Sequence, residues 1–393
     1  MNMPTLKKEK RYSGLQMLLA ALGGGMVTLA TGLIALWIIL GPHAFSLLDA
    51  WGAIQTTFVG EYDPECVIDS ALSGMVAGTG DRWSYYLTAG EYAAQNERRE
   101  NSFVGIGVTI AADGEEGLLI REVYKDGPAW AAGLLAGERI VAVDGTDLGK
   151  LSLEEATGLI QGEAGSGLTL TVENKAGLRR EVELCRARVE NRSVEHSLLA
   201  DNVGYIQVKN FYAHSADQLK EAVTQLEEQG ARALVFDMRN NGGGYVDQLT
   251  QMLDALLPEG PIFRSESKLG RETVTLSDEA HMSLPMATLV NKDTYSAAEF
   301  FAAQLQESVG APIIGEETSG KGYSQQAVPL PNGGALNLST GRYRTGAGVS
   351  LIGAGVSLDA EVLLTQPQAA ALLAGSLSPE EDPQLQKALE LLQ

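Results

Sequence analysis

Apolar positions along this chain recur in three different rhythms, and each rhythm predicts a different kind of element. Residues 14–40 carry no charged side chain. At about 1.5 Å per residue that run makes a helix of about 40 Å, longer than the about 30 Å of a bilayer's hydrocarbon core. Beyond it, Leu47, Leu48, Trp51, Ile54 and Phe58 return every three or four residues and form one apolar stripe. Asp63 followed by Pro64 reads as an N-cap with proline at the first helical position. A second stripe follows in Val67, Ile68, Leu72, Met75 and Val76. The helical region 46–100 has no core of its own. It must pack on the next domain or on a second copy of the chain, so a homodimer or higher oligomer stays open.

Between 101 and 188 the period shortens. Residues 104–110 and 117–123 are rich in branched apolar side chains and predict strands. Gly127 and Pro128 open a short helix that Gly133 closes. Residues 139–143 form a strand that ends at Asp144-Gly145. Ser152 and Glu155 make a capping box before Ala156, Leu159 and Ile160. Residues 168–172 alternate strictly, and 174–177 make a turn. This pattern predicts a small mixed β domain.

The third rhythm alternates short apolar runs with helical ones over 189–365. Residues 203–208, 233–236 and 288–290 read as strands. Helices are expected from Ser215, with Gln218 as a second capping box, from Tyr245 to Leu257, and from Ser296 to about Ser308. Such alternation predicts parallel βαβ units in an α/β domain, followed by a helical segment at 366–393. In these sheets ligands bind where strands end and helices begin. Both the glycine run at 242–244 and Ser296 fall at such junctions.

Charge then sets the topology and removes some functions. Lys7, Lys8, Lys10 and Arg11 precede the uncharged run, and Asp49 and Glu61 follow it. The basic end, residues 1–13, is expected in the cytoplasm, so the rest of the chain should lie on the outer face of the cell membrane, tethered by a signal-anchor. A cleaved signal peptide would have a shorter apolar core, although Ala44-Phe45-Ser46 could serve as its cleavage site. The net charge of −21 repels phosphates and argues against nucleic acid. Cys66 and Cys185 form no CxxC pair, and His43, His196, His214 and His281 are scattered, so no metal or other cofactor is expected. The outer compartment permits a disulfide between the cysteines, but two buried thiols are the simpler expectation.

Three segments bear on chemistry. A serine hydroxyl such as that of Ser296 needs a base, and a helix N-terminus supplies N–H groups for an oxyanion. There is no GxSxG or GxSGG segment, which disfavours a Ser–His–Asp enzyme. Lys321, between Gly320 and Gly322, could serve as a base if burial lowered its pKa by roughly three units. Gln325 could hold its amine. The run Gly242, Gly243 and Gly244 matches neither nucleotide motif, but its N–H groups could line an oxyanion hole.

Taken together, Asp237-Met-Arg-Asn-Asn-Gly-Gly-Gly244, Thr294-Tyr-Ser-Ala-Ala-Glu-Phe300 and Gly320-Lys-Gly-Tyr-Ser-Gln325 resemble the C-terminal processing peptidases, also called tail-specific proteases. Gly105-Ile-Gly107 and the segments 127–134 and 137–145 resemble that family's PDZ domain. Residues 72–87, 353–362 and 382–389 resemble its other parts. The resemblance implies a mixed α/β fold with a PDZ domain and a peptidase domain of the ClpP/crotonase-like type. It implies Ser296 as nucleophile, Lys321 as general base and Gln325 as its orienter. The oxyanion hole would use N–H groups of Ala297 and of Gly243, with Gly244 as the alternative. Gly105, Ile106 and Gly107 would take the carboxylate of a protein or peptide substrate with a free C-terminus. Gly242 and Leu358 stand where many members have proline. A PDZ scaffold that binds tails without cutting, and an enoyl-hydratase-like enzyme, are the rival readings.

Overall fold

The computed structural model describes residues 13–112, 117–125 and 127–393. The chain divides into two units, 1–68 and 69–393, and each is taken by itself. In the first, one long helix spans Gly14–Thr57. It breaks at Gly41 (φ 68°), directly before Pro42, because a residue ahead of proline is pushed out of the helical region. Leu15, Leu18, Met26, Val27, Trp37 and Ile38 are all exposed along it. The expected membrane span is recovered as helix but not as a span: among the described residues, no helix is long and apolar enough to cross a membrane. The side chains at 14, 16, 20, 33, 36, 39 and 40 lie outside the described residues, and so do Lys7, Lys8, Lys10 and Arg11.

The helix Pro64–Ala77 starts as expected, with the Asp63 carboxylate accepting from Glu65 N–H at 2.9 Å. Cys66 is exposed rather than buried, and its thiol donates to Asp63 Oδ2 at 3.5 Å. Cys185 is likewise an exposed thiol, at the end of a strand that buries alternate residues Val182 and Leu184.

Within the second unit, the small β domain is a sheet of Val108–Ala112, Leu118–Val123, Arg139–Val143, Gly167–Glu173 and Arg179–Cys185, with Thr146–Asp147 beside the third. Gly167–Glu173 buries Leu168, Leu170 and Val172 alternately, as its pattern predicts. The capping box forms, with Ser152 N–H and Glu155 N–H each bonded to the other residue's side chain. The strand expected over 104–110 is split. Ser102–Gly105 leaves to pair with Ala187–Glu190, and Gly107, at φ +77°, makes the corner that only glycine takes without strain.

The α/β domain is built on a six-stranded sheet. Val203–Val208, Ala233–Asp237, Met286–Val290, Ile313–Gly315 and Ala360–Glu361 run parallel, and Val194–Leu198 closes one edge antiparallel. Ala233–Asp237 and Met286–Val290 are buried throughout, because the sheet is covered on both faces. Leu234 and Phe236 point into a core with the helices Ser215–Glu228, Val246–Leu256 and Ala297–Val309. Val235 and Leu289 point into a second core closed by Leu385 and Ala388 of the helix Pro383–Leu391. The capping box expected at Ser215 does not form. Ser215 faces Gln248, while Gln218 accepts from Ser193 N–H at 2.8 Å, so tertiary partners take both side chains.

A second, antiparallel sheet was not anticipated. Its long strand Ala335–Arg344 pairs with Tyr323–Pro329, with Gly260–Ser267 and with Tyr85–Leu87, and Glu272–Ser277 lies at the edge. The strand Tyr85–Leu87 corrects the expectation of a purely helical region there. It also supplies the packing partner that region lacked: this end of it is part of the α/β domain.

Candidate active site

Ser296 stands between the buried strand Met286–Val290 and the helix Ala297–Val309, at φ 62° and ψ −123°. A non-glycine residue at positive φ costs about 1–3 kcal/mol and persists only where neighbours fix it. The fixing groups are visible. Thr294 Oγ1 donates to Met238 O at 2.8 Å and accepts from Asn291 N–H at 2.9 Å. Asn291 accepts from Asn240 N–H at 2.9 Å, and Tyr295 N–H donates to Asn241 O at 3.1 Å. The loop carrying Ser296 is therefore laced to the loop after Ala233–Asp237. That second loop is anchored from below, where buried Arg239 pairs with Asp237 at 2.6 Å and Asp382 at 2.7 Å.

The glycine run lies against the serine. A Cβ on Gly243 (φ +83°) would fall 2.9 Å from Ala297 N and 3.0 Å from Ser296 Cβ, so no side chain fits there. The Gly243 N–H, however, already donates to Asn241 Oδ1 at 2.8 Å. Gly244 N–H and Ala297 N–H make no hydrogen bond among the described residues. Of the two glycines expected as oxyanion donors, Gly244 is thus the one with a spare donor.

Lys321 lines one cavity of about 360 Å³ together with Ser296, Gln325 and the three glycines. Its Nζ sits 4.8 Å from the ring centre of Trp83 and 5.8 Å from that of Tyr295. Burial first, and then the Arg99 guanidinium, pull its pKa far below the ordinary lysine range, to about 8, against the opposing charges of Asp81 and Glu299. A useful share of neutral amine is therefore present at mildly alkaline pH. Gln325 lines the same cavity but does not hold the amine. Its Nε2 donates to Tyr323 O at 3.2 Å and Ser339 Oγ at 3.3 Å, after a register shift between Ser324 and Gln325.

Two residues that sequence reasoning left without a role connect the parts. Glu299 is fully buried. One oxygen accepts from Gly320 N–H at 2.7 Å, and the other from Lys321 N–H at 3.0 Å and Ser296 N–H at 2.9 Å. A single carboxylate thus ties the serine turn to the lysine turn. Its place three residues past a helix cap was the available signal. Tyr343, also buried, donates to the Lys321 carbonyl, and the Ser296 hydroxyl lies close enough to the phenol to ease its ionisation. Burial pushes that phenol's pKa well up.

In the small domain, Ile106 and Gly107 N–H groups make no hydrogen bond among the described residues, whereas their carbonyls accept from Ala129 and Tyr124 N–H. The Ile106 side chain is 1% exposed and belongs to the domain core. Only backbone is thus offered at that loop. Gly105 closes the preceding strand, and a Cβ there would meet the Phe103 ring at 3.0 Å.

Known proteins resemble this chain in both its small β domain and its α/β domain. Residues 202–362 match peptidase family S41, and residues 119–174 match the PDZ domain. The carboxy-terminal processing protease CtpA of Bacillus subtilis is 31% identical over 313 residues, covering 78% of this chain and 66% of that one. A carboxy-terminal-processing protease of Bartonella bacilliformis is 30% identical over 338 residues, covering 81% of this chain and 74% of that one. The chain therefore spans about two-thirds to three-quarters of these relatives' length. A solved S41-family structure from Bacteroides fragilis, 18% identical at a TM-score of 0.51, covers 86% of this chain and 92% of that one and shares its fold.

Proposed function

Because the chain belongs to the C-terminal processing peptidases, serine-type enzymes of peptidase family S41, we propose that it is an endopeptidase that cuts exported or membrane proteins near their C-termini with Ser296 and Lys321. The observation that carries the reading is one cleft holding a strained serine, a lysine with a pKa of about 8 and spare backbone donors. Neutral Lys321 takes the Ser296 proton as Oγ attacks the scissile carbonyl. The tetrahedral oxyanion is met by the N–H groups of Gly244 and Ala297. The lysine ammonium then protonates the departing amine, and the C-terminal fragment leaves. The neutral amine then deprotonates a water that attacks the acyl ester left on Ser296, and the ammonium so formed returns its proton to Oγ as the acyl fragment departs as an acid. Glu299 is a positioning residue that keeps the two turns in register. Gln325 meets the amine only after its side chain turns from Tyr323 and Ser339.

The Ile106–Gly107 loop takes the substrate's terminal carboxylate on its free N–H groups, and the substrate adds as a strand. We place the enzyme on the outer face of the membrane, tethered by residues 14–40. The uncharged run and the exposed apolar side chains of its helix support this, because water is a costly surrounding for such a surface. Hydrolysis of an unstructured protein by wild type, Ser296→Ala and Lys321→Ala tests the pair. Release of the chain from washed membranes by salt alone would contradict the tether.

A further inference from the structure

Two cavities meet at Ser296, and they differ in charge. One, of about 400 Å³, is lined by Val246, Leu249, Phe263, Ala297 and Tyr343, with Arg99 at its border. The other, of about 360 Å³, carries Lys321 together with Arg82, Arg98 and Arg99. No Asp or Glu lines either one. That is unexpected in a chain with 50 acidic and 29 basic residues. None of the three arginines forms an ion pair among the described residues. Arg82 lies 4.3 Å over the Trp83 ring and donates to Ser319 O at 3.2 Å. Arg99 lies 5.6 Å from the Tyr245 ring centre. Glu100, the acid next to Arg99 at the end of its helix, pairs with Arg188 instead.

A helix dipole favours cations at its last turn, which accounts for Arg98 and Arg99 at the end of Ala89–Arg99. It does not account for Arg82, which comes from a turn outside that helix. Guanidiniums without an ion-pair partner, two of them over aromatic faces, are suited to planar anions, and carboxylates above all.

Reaction chemistry says which part of a substrate would lie there. The base that takes the serine proton must deliver it to the departing amine, so that amine leaves on the base's side. Lys321 lines only the cationic cavity. The fragment beyond the cut therefore occupies it.

We propose that Arg82, Arg98 and Arg99 form a second carboxylate site, separate from the PDZ loop, that holds the anionic end of the departing fragment. This rests on the reading of Ser296 and Lys321 as the catalytic pair. The carboxylate comes from the chain terminus or from an Asp or Glu a few residues past the cut. In either case the site favours removal of short, acid-ended tails.

The test uses the full chain with Ser296→Ala, to stop turnover, and Gly107→Val, to obstruct the PDZ loop. A dye-labelled short peptide is offered as free acid, as amide, and as amide with Asp at its last position. Fluorescence polarisation should show the acid, the Asp-amide or both binding about tenfold tighter than the plain amide. Which of them gains tells the two carboxylate sources apart. Arg82→Gln, Arg98→Gln and Arg99→Gln together should level the three forms, and Arg99→Lys alone should keep part of the preference. Equal binding of all forms to the arginine-intact chain, or a preference that survives the triple change, overturns the proposal. Should Gly107→Val unfold the small domain, the acid-to-amide ratio of kcat/KM in the active chain replaces that arm. The PDZ is then the same with and without the arginines, so a ratio unmoved by their loss overturns the site. Cleavage of the peptide by the Ser296→Ala chain, read by mass spectrometry, would instead strike the catalytic pair alone.

Discussion

Around Ser296 the backbone is tied on every side, through Thr294 to Met238, through Asn291 to Asn240, through Tyr295 to Asn241 and through its own N–H to Glu299. Around Lys321 the backbone is tied just as firmly, by Glu299 and by Tyr343, but the amine lies over aromatic faces and makes no hydrogen bond among the described residues. In one half of the pair a fixed backbone places the oxygen to within one side-chain rotation, since Oγ hangs directly on Cβ. The other is preorganised only as far as its backbone. A serine must present one oxygen at one angle, and strain holds it there. A base must change charge and pass a proton twice, and a hydrogen-bonded ammonium would resist losing its proton. Aromatic faces hold the cation weakly enough for burial to win.

Changes that delete either half should break this arrangement most. Ser296→Ala and Lys321→Ala should each lower kcat/KM by about a thousandfold or more, and the double variant should be little worse than either. Lys321→Arg should match Lys321→Ala, since a guanidinium keeps its proton. Glu299→Gln comes next, because an amide cannot hold three N–H donors as a carboxylate does. A loss of about a hundredfold in kcat is expected from the loosened register. Its pH profile separates positioning from simple damage. Glu299 helps keep Lys321 charged, so removing its charge lowers the lysine's pKa and moves the rising limb to lower pH. Arg99→Gln should act in the opposite sense, moving the limb to higher pH while changing the plateau for an amidated substrate by less than about tenfold. Smallest in rate is Asp382→Ala, remote from the chemistry. Chemical denaturation should show a loss of about 3 kcal/mol or more, because Arg239 would keep its charge while losing one of its two buried carboxylate partners. Turnover of the folded enzyme should barely move.

Much of this was legible because the decisive signals are local. The parallel strands are continuous apolar runs, the caps at Asp63 and Ser152 follow their motifs, and Ser296 and Lys321 sit in segments that resemble a known family. What was not legible depends on partners far away in sequence. Tyr85–Leu87 is a strand only because Ala335–Arg344 offers it an edge. Ser215 misses its capping box because Gln248 and Ser193 compete for its two members. Gly243 is the favoured oxyanion donor by resemblance, but in the fold Asn241 Oδ1 occupies its N–H. Gln325 faces its own strand neighbours instead of the lysine. Arg82, Arg98 and Arg99 are unremarkable in sequence, and only folding gathers them beside Ser296.

The pH dependence of kcat/KM on an unstructured substrate, with Ser296→Ala as the baseline, bears most directly on the claim that a neutral lysine activates Ser296. Lys321 must lose its proton to act, so the rate should be low at acid pH and rise through a single ionisation with a midpoint of about 8. A chelator should leave the curve unchanged, and Lys321→Ala should flatten it onto the baseline. A midpoint near the ordinary histidine value that vanishes when His196 or His214 is replaced would contradict the account, as would full activity without Lys321.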